Sequence, residues 1–125
     1  MKLIDTTVAV DHLRGTRAAT DLLAGFVAEG ETIVASEITR FELLAGVRTS
    51  ELEALEDFFS SLAWVPIDEA ISRAAGTLAH RLRLSHSGID DADYLIAATA
   101  IVLDADLLTT NTRRFPMLKG LRPPY

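Results

Sequence analysis

The chain of 125 residues contains no cysteine, which excludes disulfide bonds, thiolate metal ligands and a nucleophilic thiol. Long apolar stretches are missing too: the longest runs from Tyr94 to Leu103, about ten residues, whereas a helix that crosses a bilayer needs roughly 20. No signal peptide is expected, because Asp5 interrupts the apolar stretch near the start. These absences are compatible with a protein of the reducing cytoplasm, which is where we expect it.

Positive charge is also scarce. Twelve lysines and arginines face 18 aspartates and glutamates, giving a formal net charge of −6. This balance argues against a protein that binds nucleic acid through overall basicity. A phosphate-bearing substrate would need a local basic patch or a bound cation. The apolar content of 49% and the mean hydropathy of +0.23 indicate that some surface is buried against a partner.

Short apolar segments alternate along the chain with amphipathic helical segments. One strand is predicted before Asp5, others at residues 32–35, 64–67 and 107–110, and a possible fifth at 118–122. Strands that alternate with helices predict a parallel sheet. The sequence therefore predicts a single α/β domain over residues 1–125.

Capping residues predict where several helices begin. Ser36 is expected to cap the third helix, Ser50 with Glu53 to form a capping box, and Asp68 to cap a long helix. The segment Asp91–Leu103 is almost wholly apolar after its first turn, so we expect this helix to be buried against the sheet. The inward face of the third helix is expected to consist of Ile38, Phe41, Leu44 and Ala45.

Acidic residues occur where a crevice at the edge of a parallel sheet would gather them. Asp5 directly follows the first strand, and ligands of open parallel sheets bind beyond the carboxyl ends of the strands. Glu42 lies on the third helix, and Asp90 and Asp93 begin the apolar helix, while Asn111 follows the fourth strand. Each acid also has a purely structural explanation: Asp5 as a helix cap, Glu42 as a solvated helix acid, and Asp90 and Asp93 as first-turn charges that the helix dipole favours.

A purely structural role explains Asp93 less well than the other acids, because Asp93 belongs to the most apolar helix. A buried carboxylate needs a partner, and no basic residue stands beside these acids in the sequence. A hard cation such as Mg²⁺ or Mn²⁺ is the expected partner, since it binds oxygen ligands. A metal held in this way lowers the pKa of a bound water and neutralises phosphoryl charge, as phosphodiester hydrolysis requires.

Four segments of the chain resemble, in order, the motifs of PIN-domain nucleases. They are Asp5-Thr6-Thr7, Glu42-Leu43-Leu44-Ala45-Gly46, Asp93-Tyr94-Leu95-Ile96-Ala97-Ala98-Thr99-Ala100 and Leu108-Thr109-Thr110-Asn111. The length and the tail, Phe115-Pro116-Met117 through Gly120-Leu121-Arg122, are similar to those of VapC toxins of bacterial toxin–antitoxin pairs. The resemblance covers essentially the whole chain, and the segment beginning at Asp93 is its most specific part.

This resemblance implies a Mg²⁺- or Mn²⁺-dependent endoribonuclease that cleaves structured RNA, such as tRNA or ribosomal RNA, and stops translation. It implies a parallel sheet of four to five strands between helices on both faces, with the first strand central. It also implies a homodimer that a cognate VapB antitoxin silences.

The resemblance assigns roles to particular residues. By motif position, Asp5, Glu42 and Asp93 are the expected catalytic residues and metal ligands, with Asp90 as an additional acid beside them. Many PIN domains carry an aspartate where this chain has Asn111, which can coordinate only as a neutral amide, so one metal and two metals both remain open. The hydroxyls of Thr6 and Thr110 are expected to position water or metal.

Other polar residues allow weaker interpretations. Four basic residues near the end are expected either to bind RNA phosphates or to be solvated; they are Arg113, Arg114, Lys119 and Arg122. The three histidines would suit metal-free cleavage of RNA, but nothing in the sequence pairs His12, His80 or His86. Trp64 is expected in the core rather than as a platform for a base.

Two other functions compete with the nuclease. A receiver-like signalling module also gathers acids at one sheet edge, but Asp68 after the third strand and Lys119 fit its phosphoacceptor and lysine poorly. An inactive PIN fold that only binds an antitoxin is the second alternative, which Asn111 keeps open. Metal-dependent cleavage of RNA separates the nuclease from both.

Overall fold

The computed structural model describes all 125 residues. The helices and strands, in chain order, are β1 (Lys2–Ile4), α1 (Thr6–Leu13), α2 (Arg17–Ala28), β2 (Ile33–Ser36), α3 (Glu37–Gly46), α4 (Leu52–Ser60), β3 (Ala63–Val65), α5 (Glu69–Leu82), α6 (Asp91–Leu103) and β4 (Asp106–Leu108). Two 3₁₀ turns precede α4 and follow β4, at Thr49–Glu51 and Thr112–Arg114. None of the helices has the length and apolar character needed to cross a membrane.

The four strands form one parallel sheet in the order β3-β2-β1-β4. The chain adds β2 and β3 on one side of β1 and then returns to place β4 on the other side. The carboxyl ends of β1 and β4 therefore border the point where the strand order reverses, which is the usual ligand crevice of an open α/β sheet. The predicted α/β class and the central first strand are confirmed.

Both faces of the sheet are buried, because successive residues of a strand point to opposite sides. Leu3 is in register with Val34 and Leu107, and these three pack with Ile96 of α6 and with other buried residues of that face. Ile4, on the opposite face, belongs to a second cluster that takes in side chains of α1 to α4. Helix α5 packs on the outer side of α6 through a third cluster. Near-continuous apolar strands are typical of such doubly covered sheets.

Several predicted helix starts are confirmed. The side chain of Ser36 accepts a hydrogen bond from the backbone N–H of Ile38 at 3.2 Å, and that of Asp68 accepts from Ile71 at 2.9 Å. Helix α6 has the bounds predicted from its apolar pattern. The capping box at Ser50 and Glu53 was wrong: a 3₁₀ turn fills this segment, and Glu51 accepts from the backbone of Arg48 at 3.3 Å.

Ile38 is half-buried and packs against the core, as predicted, but the rest of the inward face predicted for α3 was wrong. Its buried residues are Thr39 and Leu43, whereas Phe41 is 65% exposed and Leu44 38% exposed. On this helix the buried Leu43 belongs to the core, and on the same side Thr39 lies with its hydroxyl oxygen 3.4 Å from that of Thr6. Apolar periodicity alone does not reveal a polar residue that has a buried partner.

No fifth strand forms at residues 118–122. Pro116, Pro123 and Pro124 lack the N–H that a strand donates to its neighbour. Gly120 has a φ of +75°, which lies in the left-handed region and breaks an extended backbone. The segment instead passes Met117, Leu118 and Leu121 against the α6 face of the sheet.

The two isoleucines of α6 predict how much stability the sheet-facing side supplies. Ile96 is 1% exposed and Ile101 is 50% exposed. We expect Ile96→Ala to lower the free energy of unfolding by about 2–5 kcal/mol, because the deletion leaves a cavity. The same change at Ile101 should alter it by less than about 0.5 kcal/mol. Urea denaturation of both variants measures this, and equal losses would contradict the packing described for α6.

Candidate active site

A cleft of about 390 Å³ opens beyond the carboxyl ends of β1 and β4. Four carboxylates, two guanidinium groups and several threonines line it. The lining residues are Asp5, Thr6, Thr7, Val10, Asp11, Arg14, Glu42, Asp93, Thr110, Asn111 and Arg114. Three chain segments that are far apart in sequence thus bring the predicted acids of β1, α3 and α6 to one place.

Asp5 is held rigidly at the base of this cleft. It is 5% exposed, and one oxygen accepts the backbone N–H of Thr6 at 2.8 Å, as a cap of α1. The other oxygen accepts hydrogen bonds from the hydroxyls of Thr109 at 2.6 Å and Thr7 at 3.2 Å. Asp5 is therefore both a helix cap and a cleft residue, so the two interpretations of its sequence position hold together.

Glu42 is oriented by a threonine of the first motif. The hydroxyl of Thr6 donates to Oε1 of Glu42 at 2.8 Å, and Thr39 lies on the other side of that hydroxyl at 3.4 Å. The second carboxylate oxygen of Glu42 receives no hydrogen bond within the protein. Thr6 thus takes part in the site by orienting an acid, while its predicted role of positioning water or metal remains a prediction.

Asp93 is the most strongly perturbed acid of the cleft. It is 6% exposed, and its Oδ2 accepts the backbone N–H of Asp90 at 2.9 Å. Burial raises the pKa of the Asp93 carboxyl above its ordinary value of 3.8, and the negative charges of Asp5 and Asp90 add to this. The hydrogen bond from Asp90 and the positive charge of Arg114 act in the opposite direction.

A basic partner for Asp93 does exist, contrary to what the sequence indicated. Nη1 of Arg114 lies 3.5 Å from Oδ2 of Asp93 and 3.0 Å from Oδ2 of Asp90. The two segments meet because the chain turns back over α6 after β4. Contacts between residues more than 20 positions apart leave no local signal in a sequence.

Asp90 does not line the cleft. Its side chain is 69% exposed and is paired with Arg114. Its predicted role as a metal ligand remains a prediction, while its structural role at the start of α6 is established by the bond from its N–H to Asp93.

The cleft suits a hard cation in its chemistry but not yet in its geometry. No three acidic or histidine side chains are close enough, as they are placed, to hold one metal ion. The donors are nevertheless all oxygens, as Mg²⁺ and Mn²⁺ prefer. Asp93 and Glu42 each keep one carboxylate oxygen that makes no hydrogen bond within the protein. Burial, and to a smaller extent repulsion from Asp5 and Asp90, raise the pKa of Asp93, and a bound cation would offset both by favouring the charged carboxylate.

Residues of the fourth motif close the opposite wall. Thr110 and Asn111 both line the cleft. The backbone N–H of Asn111 donates to the hydroxyl of Thr109 at 3.1 Å, and that of Thr110 donates to Thr7 at 3.2 Å. Asn111 brings to the cleft a carboxamide, which carries no charge.

Helix α1 contributes lining residues that the sequence reading missed. Thr7, Val10, Asp11 and Arg14 face the cleft and follow one another at spacings of three, one and three residues, which place them on one side of a helix. This spacing was a usable signal. The side chain of Asp11 also accepts a hydrogen bond from the hydroxyl of Tyr125 at 2.6 Å.

Most of the other predicted polar candidates lie elsewhere. Arg114 lines the cleft, but Arg113, Lys119 and Arg122 do not; all three are exposed. None of the histidines lines the cleft either. Trp64 is half-buried and donates through Nε1 to the backbone oxygen of Phe59 at 3.0 Å, in agreement with its predicted place in the core.

Known proteins resemble this chain over its whole length. The family model of the PIN domain matches residues 2–121. Ribonuclease VapC19 of Mycobacterium tuberculosis is 67% identical over 125 residues, all of both chains. Ribonuclease VapC10 of the same species is 41% identical over all of this chain and 93% of its own length. Ribonuclease VapC1 of Methanocaldococcus jannaschii is 33% identical over 94% of this chain and 80% of its own.

Solved structures share the fold. VapBC2 of Rickettsia felis, bound to a DNA fragment from its promoter, superposes with a TM-score of 0.83 at 25% identity, over 96% of this chain and 94% of that chain. A toxin–antitoxin complex from Klebsiella pneumoniae gives 0.79 at 25% identity, over 100% and 98% of the two chains. These matches make the receiver-like alternative wrong. The chain belongs to the PIN domain family, within its VapC group.

Proposed function

We propose that this protein is an endoribonuclease toxin of a VapBC-type pair, that its cleavage requires Mg²⁺ or Mn²⁺, and that it cuts structured RNA to inhibit translation. The observation that carries the metal requirement is the meeting of buried Asp5 and Asp93 with Glu42 in one cleft at the reversal of strand order. Carboxylates are kept this close against their repulsion where a cation uses them. The ribonuclease names of relatives up to 67% identical over the full length support the reaction class.

The residues of the chain have distinct tasks in this proposal. Asp5, Glu42 and Asp93 would hold the ion, which when bound supplies a water of lowered pKa and neutralises charge on the phosphoryl group. Threonine hydroxyls keep Asp5 and Glu42 in place, and the N–H of Asp90 does the same for Asp93. Preorganised ligands of this kind avoid the free energy of reorienting side chains during the reaction.

Substrate binding must overcome the negative charge of the molecule. With a net charge of −6, RNA approaches the cleft only where positive charge is local. Arg14 and Arg114 are the cations that line the cleft, and guanidinium groups bind phosphates through paired hydrogen bonds. Arg113, Lys119 and Arg122, exposed outside it, would extend this phosphate-binding path.

An antitoxin and a second copy of the chain are the proposed protein partners. The Klebsiella pneumoniae structure is a toxin–antitoxin complex, and a cognate VapB-type antitoxin is the corresponding partner here. Exposed apolar side chains supply surface for such partners: Phe41 is 65% exposed on α3, and Ile101 and Val102 are 50% and 43% exposed on α6. They match the excess of apolar residues in the composition. The homodimer remains a prediction.

The metal requirement is tested by incubating the purified protein with total RNA and with tRNA, in the presence of Mg²⁺, Mn²⁺ or EDTA. Cleavage is expected with either metal and should disappear with EDTA, because the carboxylates then lack the ion that would lower the pKa of a water and neutralise phosphoryl charge. Cleavage that persists in EDTA would refute the metal requirement. A protein without activity under every condition would instead favour the inactive, antitoxin-binding alternative.

Asn111→Asp is expected to preserve cleavage and to tighten Mn²⁺ binding. The substitution replaces a neutral amide oxygen on the cleft wall by a charged oxygen, which hard cations bind more strongly. Titration calorimetry of both proteins with Mn²⁺ measures the difference. Weaker binding by the aspartate form would mean that residue 111 does not contact the metal.

Asp93→Asn should raise the melting temperature of the metal-free protein, and more so at high pH. The folded protein binds the Asp93 proton more tightly than the unfolded chain, because the folded pKa is raised above 3.8. Stability therefore falls as pH rises through the raised value, and the neutral asparagine removes this loss. Thermal melts at about pH 4.5 and about pH 8 measure the effect.

Asp91→Asn is the matched control for this experiment. Asp91 lies in the same first turn of α6, but it is 85% exposed and pairs with Arg83 outside the cleft. Its substitution should leave the pH dependence and RNA cleavage unchanged, whereas Asp93→Asn should abolish cleavage and most of the stabilisation by Mg²⁺. An Asp93→Asn protein that melts lower than wild type without metal and still cuts RNA would remove the central residue of the proposed site.

A further inference from the structure

Arg114 is the one side chain of the cleft whose observed partners conflict with its expected task. A guanidinium that binds substrate phosphate should be free, yet one nitrogen of Arg114 contacts both Asp90 and Asp93, at 3.0 and 3.5 Å. Asp93 is also one of the acids proposed to hold the metal. The same carboxylate oxygen therefore has two candidate cations.

The exposure of the three side chains shows which of them is able to move. The Asp93 side chain is 9% exposed and is anchored by the N–H of Asp90. Arg114 is 43% exposed and Asp90 69%. The contact of Arg114 with the exposed Asp90 is a surface ion pair, which contributes little free energy, and its contact with the buried Asp93 is the longer of the two, at 3.5 Å. A cation that took over the charge of Asp93 would therefore let the guanidinium leave without a large loss. Asp93 cannot move as easily.

Charge explains why Arg114 occupies this place before a metal does. Its positive charge offsets the repulsion that Asp5 and Asp90 exert on the buried Asp93 carboxylate. A divalent cation on Asp93 would offset the same repulsion more strongly and would repel the guanidinium. Arg114 and the metal are thus competitors for one buried charge.

We infer that Arg114 is the internal counter-ion of Asp90 and Asp93, that divalent metal displaces it from Asp93, and that the released guanidinium then binds the RNA phosphate in the same cleft. The planar fork of an arginine suits both a carboxylate and a phosphate, so the exchange requires only a change of partner. Metal binding would thereby prepare the cleft for substrate. This inference rests on the proposed metal-dependent cleavage of RNA.

Titration calorimetry with Mn²⁺ alone tests the competition without any measurement of activity. Arg114→Gln is expected to bind Mn²⁺ about tenfold more tightly than wild type, equivalent to ~1.4 kcal/mol, because the competing charge is gone. Arg114→Lys keeps the charge and should remain close to wild type. Affinity that is unchanged or weaker in Arg114→Gln would overturn the inference.

Arg83→Gln is the matched control. Arg83 also pairs with an aspartate at the start of α6, with 2.7 Å between Nη2 and Oδ1 of Asp91, but it lies outside the cleft. Its loss removes the same charge and the same type of ion pair, and Mn²⁺ affinity should change less than about twofold. If Arg83→Gln also bound Mn²⁺ about tenfold more tightly, the gain in Arg114→Gln would reflect only the change in net charge, and the displacement of Arg114 by metal would be overturned.

Cleavage of tRNA at saturating Mn²⁺ tests the second half of the exchange. Arg114→Gln should cut at least about tenfold more slowly than wild type although it binds metal more tightly, because a phosphate contact is lost. Undiminished cleavage would overturn the phosphate role. If the wild type does not bind Mn²⁺, the proposed metal requirement itself is refuted. If the wild type binds Mn²⁺ and cleaves tRNA, but Arg114→Gln shows the same Mn²⁺ affinity and the same cleavage rate, this inference alone is refuted.

Discussion

The hydrogen bond from the hydroxyl of Thr109 to the carboxylate of Asp5, at 2.6 Å, is the contact on which the site depends. It joins the residues that directly follow β1 and β4, the two strands between which the order of the sheet reverses. Both residues are buried, Thr109 at 0% exposure. A hydrogen bond to a charged group contributes roughly 1.5–3 kcal/mol, so this contact both closes the sheet edge and sets the direction of the carboxylate.

Threonines extend this control to the rest of the cleft. Thr7 contacts Asp5 and Thr109, and Thr6 donates to Glu42. Branching at Cβ restricts the rotation of a threonine side chain about χ1. The backbone position of each threonine therefore largely determines the direction of its hydroxyl. The acids are thereby held near one another despite their repulsion. This repulsion destabilises the fold, and the apolar packing on both faces of the sheet offsets it. The acidic cleft therefore depends on the buried clusters.

The sequence predicted the parts of the fold that local patterns determine. The apolar run of α6 gave its bounds, and Asp68 and Ser36 marked helix starts, because capping depends on neighbours three residues away. Of the acids of the cleft, Asp5 was found because it follows a strand, Asp93 because it lies in the first turn of an apolar helix, and Glu42 because it belongs to a motif shared with PIN-domain nucleases, while Asp11 was missed. Most of the inward face of α3 and the missing fifth strand were not found: Thr39 lies inside, where it meets Thr6 across the fold, and no periodicity records such a contact. The partnership of Arg114 with Asp93 was missed for the same reason, although its segment was chosen for its charge.

Three side chains keep the negative charge of this cleft low: the neutral amide of Asn111 and the guanidinium groups of Arg14 and Arg114. A site with more carboxylates would bind a divalent cation more tightly, but it would also repel an RNA backbone more strongly. The rest of the molecule is acidic, so attraction for RNA must arise within a few ångströms of the reacting phosphate. The neutral Asn111 and the positive Arg14 and Arg114 reduce the repulsion at that place without removing Asp5, Glu42 or Asp93. The composition of the cleft is therefore a balance between the charge that a metal requires and the charge that a polyanionic substrate tolerates.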